Sequence, residues 1–373
     1  MKKNILFVLL SVIVLSSLVL SSCAQATTAP TVAPATQAPT AVPPTAVPPT
    51  AVPPTVAPTT APTATLPTPS CPLMANPPTV KAGALGSPDN PLVITFVPSG
   101  DSGTIALAGN AIADCLASIT GLSFKMEVGT SFGASIEAMG GNKAQIGFLN
   151  TFSVLLAEQK YGVIPVLATL RKYATNSLSP DTNLKGQLEP FYRGEFLTTA
   201  TSGIKTLADI KGHTFCFVDP NSTSGYIVPR IIMKAAGIDP DTDVTPVIAG
   251  SHPNVAIGVY KGQCDAGVAY IDILTDSSAN LAATYPDITT KVVVFQDTDP
   301  IPNDGVQVVK TLDPAIRNAV VNGLLAMEKD PGGAAIMMRL YTIAGFEKID
   351  ATFYNSFAAI LKAAGVDPAT LVK

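Results

Sequence analysis

The chain has 373 residues, 47% of them hydrophobic and 13% charged, with a mean hydropathy of +0.36 and a formal net charge of −4. The acidic balance excludes the basic footprint of a nucleic-acid binder. Two histidines and five scattered cysteines give no zinc-like or haem-like spacing, so no metal and no cofactor are expected.

Met1-Lys2-Lys3-Asn4 is a short basic start, Ile5 to Leu20 is an apolar run broken by serines, and Ser21-Ser22 supplies small residues before Cys23. That order is the order of an export signal over residues 1–22, and the run is short for a membrane span. Leu20-Ser21-Ser22-Cys23 resembles the bacterial lipobox, which implies cleavage before Cys23, acylation there, and a protein held outside the cytoplasm on the cell membrane. More than one acyl chain is what makes such an anchor stable.

Residues 24–80 carry no charge, hold 16 of the 33 prolines, and repeat Ala-Val-Pro-Pro-Thr three times from Ala41 to Thr55. Proline removes donors, and Ala and Thr offer little to bury, so 23–82 reads as the lipidated cysteine and a polyproline-II-leaning, disordered tether.

From about Gly83 the composition is that of a folded α/β body too long for one core. Strands are expected over Leu92 to Val97, Ser123 to Val128, Gln145 to Leu149, Glu195 to Thr199, Thr214 to Val218, Val244 to Ile248, Ala266 to Tyr270, Val292 to Phe295 and Val306 to Lys310. Helices are expected over Ile105 to Thr120, Ser131 to Met139, Ser153 to Tyr161, Gly225 to Ala236, Asn254 to Lys261, Pro314 to Lys329 and Thr352 to Ala364. The alternation predicts mainly parallel sheets flanked by helices. Residues 83–200 with 300–373 form lobe 1 and 201–299 form lobe 2. The chain then crosses twice, near Thr199 to Lys205 and near Gln296 to Pro302, making a hinge that closes a cleft over a ligand.

Within lobe 2, Asp219-Pro220-Asn221-Ser222-Thr223-Ser224-Gly225 runs from a strand into a helix. Ser222, Thr223 and Ser224 add hydroxyls to first-turn amides that lack intrahelical partners, at the positive end of the macrodipole. Gly225 would let a ligand approach the backbone, and the cradle would suit a tetrahedral oxyanion without Arg or Lys. A capped helix start with nothing bound is the plain alternative.

This run, with Gly250-Ser251-His252 and Gly262-Gln263-Cys264-Asp265-Ala266-Gly267, resembles the phosphate/phosphite/phosphonate ABC-transporter substrate-binding proteins over residues 90 to 345. The resemblance implies a two-lobed periplasmic-binding-protein type II fold and a monomer that hands a small phosphorus oxyanion to an ABC permease. It implies that Ser222, Thr223, Ser224 and Gly225 hold the oxyanion and that His252 donates to it. Asp272 falls where family members place an acid for a ligand amine. Asp304 falls at a cleft carboxylate that would accept a hydrogen bond from a protonated P–OH, which implies a monoanionic ligand. In lobe 1, Thr130 to Met139 and Ala144 to Asn150 resemble the family less closely. Phe132 and Leu149 stand where tyrosines are frequent, so Phe132 is a wall, and Ser131, Asn150 or Thr151 would supply replacement donors.

Another small anion or a phosphorylated metabolite would suit the same fold. A secreted hydrolase using Ser222 or Ser224 with His252 and Asp304 is a different class, but no Gly-x-Ser-x-Gly elbow is present. A tethered adhesin is a third. With Cys23 lipidated four cysteines remain, and a Cys216 to Cys264 bridge would leave Cys71 and Cys115.

Overall fold

The computed structural model describes residues 68–366 and residue 368. The export signal, Cys23 and most of the tether lie outside the described residues.

One sheet is built from β1 (Leu92–Phe96), β2 (Phe124–Val128), β3 (Ile146–Leu149), β4 (Ile164–Lys172) and β5 (Leu188–Glu189), with later strands joining it. The ribbon β6 (Phe191–Tyr192) leads to the second sheet, made of β7 (Gly194–Thr199), β8 (Thr214–Phe217), β9 (Thr245–Ile248), β10 (Ala266–Tyr270) and β11 (Val292–Asp297). The chain returns through β12 (Ile301–Pro302) and re-enters the first sheet as β13 (Gly305–Val308) and β14 (Gly345–Lys348). The orders are β14-β4-β13-β3-β1-β2, with β5 on β4, and β11-β7-β10-β8-β9. This is the two-lobed α/β architecture expected.

The sheets are mixed where mainly parallel ones are expected. Strand-helix-strand units give parallel pairs, β1 with β2 and β3, and β8 with β9 and β10. The strands at the lobe crossings arrive from the opposite direction, so β13 lies antiparallel to β3 and β4, and β7 antiparallel to β10 and β11. The first crossing also comes earlier than residue 200. Phe196 and Leu197 of β7 are fully buried, and β7 belongs to the second sheet. The hinge is a paired ribbon, Ile301 opposite Tyr192 and Pro302 opposite Phe191.

The nine expected strands are all present. Among the elements not anticipated are β4, β14 and the helix Pro331–Tyr341. The end assigned to the tether is also different, because residues 68–82 are pinned to the body. Cys71 is bonded to Cys115, the Met74 N–H donates to the Ile119 carbonyl at 2.8 Å, and the Ser70 N–H reaches Asp330. A crosslink orders a segment that has little apolar surface of its own to bury. Cys216 and Cys264 form the second bridge, closing 48 residues of lobe 2.

Behind the hinge, Glu195 of β7 is 1% exposed beside Asp297. Asn176 donates to both carboxylates, at 3.2 and 2.7 Å. Burial pushes the Glu195 carboxyl up to about 8, against the pull of its hydrogen bonds. The folded chain therefore binds this proton more tightly than the unfolded chain, and the linked stability is present at low pH and lost as pH rises through about 8. Urea midpoints are expected to fall between about pH 5 and pH 8 by the equivalent of a few kcal/mol. Glu195→Gln, which keeps shape and polarity, should flatten that slope; an unchanged slope assigns it to other groups.

Candidate ligand-binding site

A cavity of about 330 Å³ opens between the lobes. Lobe 2 brings Ser222, Thr223, Ser224, His252 and Asp272 to its wall, and lobe 1 brings Phe132, Asn150 and Asp304. Of the expected site residues Gly225 does not line it, nor do Ser131 and Thr151, the alternatives to Asn150.

Lobe 2 presents the hydroxyls because β8, with Phe215 and Phe217 fully buried, ends at Phe217 and the chain turns into one wide helical turn, Thr223–Ile227, before the helix Val228–Ala235. The Ile227 N–H reaches back five residues to the Ser222 carbonyl at 3.0 Å. Such wide turns recur at functional sites. Gly225 has a packing reason instead of the expected ligand contact. A Cβ there would lie 2.3 Å from Val218 Cγ2, and its N–H already donates to Ser222 Oγ at 3.2 Å. Gly225→Ala is expected to lower stability by about 1–3 kcal/mol through overpacking, read as a lower urea midpoint, and to displace the flanking serines.

Each cradle hydroxyl is oriented by what its oxygen receives. Thr223 Oγ1 accepts the Phe152 N–H and Asn150 Nδ2, each at 2.9 Å and each from lobe 1. Ser222 Oγ accepts the Gly225 N–H and stands 3.4 Å from His252 Nε2. Ser224 Oγ accepts the Tyr192 hydroxyl at 3.2 Å. Thr223 Oγ1 thus has both acceptor positions taken and each serine oxygen at least one, and the three hydroxyl protons are available to the cavity. Asn150 also donates to the Asn221 carbonyl at 2.8 Å. It therefore latches the two lobes, while Ser131 caps the helix Phe132–Gly140.

His252 follows Ser251, the cap of the helix His252–Tyr260. Its Nδ1 accepts the Tyr270 N–H at 3.0 Å, which places the ring proton on Nε2. Burial lowers its pKa to about 3, so the ring is neutral. A neutral imidazole whose Nε2 carries a proton is a donor toward Ser222 and cannot take that serine's proton. Asp304 does not touch His252, so the nucleophile-base-orienter set of a hydrolase is not assembled.

Asp304 is engaged elsewhere. Arg171, at the end of β4, forks onto it with two N–H groups, Nη2 to Oδ2 at 2.9 Å and Nη1 to Oδ1. Arg171 also donates to the Tyr341 carbonyl at 2.8 Å and to Asn303 Oδ1 at 3.0 Å. Burial pulls the guanidinium pKa down, but Asp304 outweighs it and holds it raised. The expected free carboxylate is thus one half of an ion pair, and a cavity expected to manage without Arg has one in its wall. Gly305 permits this approach, since a Cβ there would meet the Leu167 carbonyl oxygen at 2.0 Å. Asp272 lies in the left-handed region at φ 68°, its carboxylate held by the Thr275 hydroxyl.

Residues 94–354 match the family model described as "ABC transporter, phosphonate, periplasmic substrate-binding protein". The chain belongs to this family. By its description, this is a family of periplasmic substrate-binding proteins. Among its relatives is the phosphate-import protein PhnD of Mycolicibacterium smegmatis, 23% identical over 203 residues, which cover 52% of this chain and 59% of that protein. The chain thus spans less than two thirds of that relative's length. Two solved structures share the fold. One is a binding protein component of an ABC phosphonate transporter from Pseudomonas aeruginosa, with a TM-score of 0.63 and 18% identity over 74% of this chain and 86% of that one. The other is PhnD1 from Prochlorococcus marinus in complex with methylphosphonate, with a TM-score of 0.62 and 16% identity over 74% and 98%.

Proposed function

We propose that this chain captures a phosphonate, phosphite or phosphate-like oxyanion for an ABC importer, by closing its lobes over the ligand and presenting the closed form to a membrane permease. The observation that carries this reading is the convergence of three oriented hydroxyls, Ser222, Thr223 and Ser224, with the His252 Nε2–H in one interlobe cavity. The first-turn amides and helix dipole add to the same positive end. The M. smegmatis relative, named for phosphate import, supports the ligand class. Lobe-1 donors on Thr223 couple closure to the cradle, so ligand and closure stabilise one state.

The cavity of about 330 Å³ is many times the roughly 30 Å³ share of one water. That room favours an oxyanion carrying an organic substituent over bare phosphate or phosphite, and Asp272 and Phe132 are placed to meet the substituent. Calorimetric titration with phosphate, phosphite, methylphosphonate, 2-aminoethylphosphonate and sulfate tests the reading. Saturable binding of at least one phosphorus compound is expected, and no binding of any of them would sink it.

The lobes correspond in this reading to about 83–200 with 300–373 and 201–299, adjusted at β7 as described. Residues 1–22 are a lipoprotein export signal, Cys23 is the acylated anchor, and the tether lets the body swing to the permease outside the cytoplasm. Cys23→Ala should move the protein from the membrane fraction to the soluble extracytoplasmic fraction; retention on the membrane would remove the anchor.

A further inference from the structure

We infer that Arg171 is a specificity-determining residue which sets the charge state of the ligand: by neutralising Asp304, it makes this a site for the fully ionised oxyanion and not for its P–OH form. The inference rests on the oxyanion reading above and deepens it.

A protonated phosphonate oxygen is a donor and must find an acceptor when buried, or the unmade bond costs it affinity. At the cradle, the oxygens of Ser222, Thr223 and Ser224 already accept protein N–H or O–H groups, and His252 presents an N–H. All four offer protons; Thr223 Oγ1 has both of its acceptor positions taken, and Ser224 Oγ keeps one. Asn150 Oδ1 is an acceptor beside them without a partner, but it has no exposed surface to offer the cavity. The Asn150 amide is fixed in that orientation, because its nitrogen must face the Asn221 carbonyl.

A lone carboxylate at Asp304 would change this. It would repel a dianion and accept from P–OH, selecting the monoanion. Paired with Arg171 through both oxygens, it forms a pair of no net charge, with one lone pair of each oxygen turned to the guanidinium. The other ionisable groups on the cavity wall are Asp272 and Asp276 after β10, Lys172 at the end of β4, and the phenols of Tyr173, Tyr192, Tyr270 and Tyr341. Asp272 is held by Thr275, and Asp276 accepts the Ser278 N–H at 2.6 Å. Burial holds Tyr192 up to about 12, so it stays a donor. Arg171 lies over the Tyr192 ring, 6.0 Å from its centroid, and so joins the charge pair to the phenol that orients Ser224.

The test compares isosteric pairs on the intact protein between pH 5 and 8.5: methylphosphonate with methanesulfonate, and 2-aminoethylphosphonate with 2-aminoethanesulfonate. A sulfonate has three acceptor oxygens and no proton to lose in this range, so its profile records the protein's own titrations, Glu195 included. Relative to the matching sulfonate, phosphonate affinity should rise about tenfold per pH unit until the second ionisation of the free ligand is complete. The sulfonates should bind measurably and more weakly. The ³¹P shift of the bound phosphonate should hold its dianion value at pH values where the free ligand is protonated.

A phosphonate profile that is flat or falls with pH relative to the sulfonate overturns the inference, as does a bound ³¹P shift at the monoanion value. Either would mean that Asp304 or Asn150 Oδ1 takes a P–OH proton after all. Failure of both phosphonates to bind at any pH instead removes the oxyanion reading on which the inference stands.

Discussion

Replacing Ser222 and Thr223 together with alanine is expected to weaken phosphonate binding by two to four orders of magnitude while the protein still folds. Each hydroxyl gives a hydrogen bond to a charged acceptor, and such bonds contribute about 1.5–3 kcal/mol apiece. Two of them therefore account for roughly 3–6 kcal/mol, with every 1.4 kcal/mol worth about tenfold. The two positions should not be equal. Loss of Thr223 Oγ1 also strands the Phe152 N–H and one Asn150 N–H at the lobe junction, so Thr223→Ala should disfavour closure as well as ligand contact. Ser222→Ala leaves the Gly225 N–H and the His252 Nε2–H without their shared acceptor but touches no lobe-1 residue. Calorimetry on the single and double variants, with urea unfolding as the fold control, reads both effects. Affinity within threefold of wild type in the double variant would refute the cradle.

That cradle was legible because everything it needs is contiguous. A strand end, a Pro-Asn turn, three hydroxyl residues and a glycine occupy Asp219 to Gly225, and turn chemistry and helix-start chemistry act over such short ranges. The role of Gly225 was misread for the same reason: the sequence shows a small residue at a helix start, but not that Val218 folds back against it. Most of the nine expected strands came from runs whose burial is continuous or alternating, while β9, exposed along its length, came from its β-branched residues alone. β4 escaped because Pro165 interrupts its start and Arg171-Lys172 closes it with charge, and a strand of mixed burial carries no clean period. The helix Pro331–Tyr341 was hidden by Gly332 and Gly333, poor helix formers retained because a Cβ would strike Pro69 Cα at 2.7 Å and the Met327 carbonyl oxygen at 2.3 Å. The first crossing was placed too late because β7 looks the same in either sheet; only its partners, β10 and β11, assign it.

Missing β4 meant missing Arg171, and with it the meaning of Asp304. Their separation of 133 residues leaves no local pattern to read. The pair is also where the second large effect is expected. Arg171→Met should destabilise the protein by about 3–5 kcal/mol, because it leaves Asp304 as a buried carboxylate without its cation. Both side chains are only 17% exposed, so water can do little to replace the lost partner. Asn303 Oδ1 and the Tyr341 carbonyl lose donors in the same step. If the unpaired charge is the main cost, removing it should restore stability: Arg171→Met combined with Asp304→Leu is expected to lose less than Arg171→Met alone, since a buried pair exchanged for apolar residues of similar size is often close to neutral. Urea unfolding of the two single variants and the double variant measures this as a coupling energy. Additive losses would mean that Arg171 matters for Asn303 and the Tyr341 carbonyl rather than for Asp304, and the charge pair would then be a consequence of the local packing and not its cause.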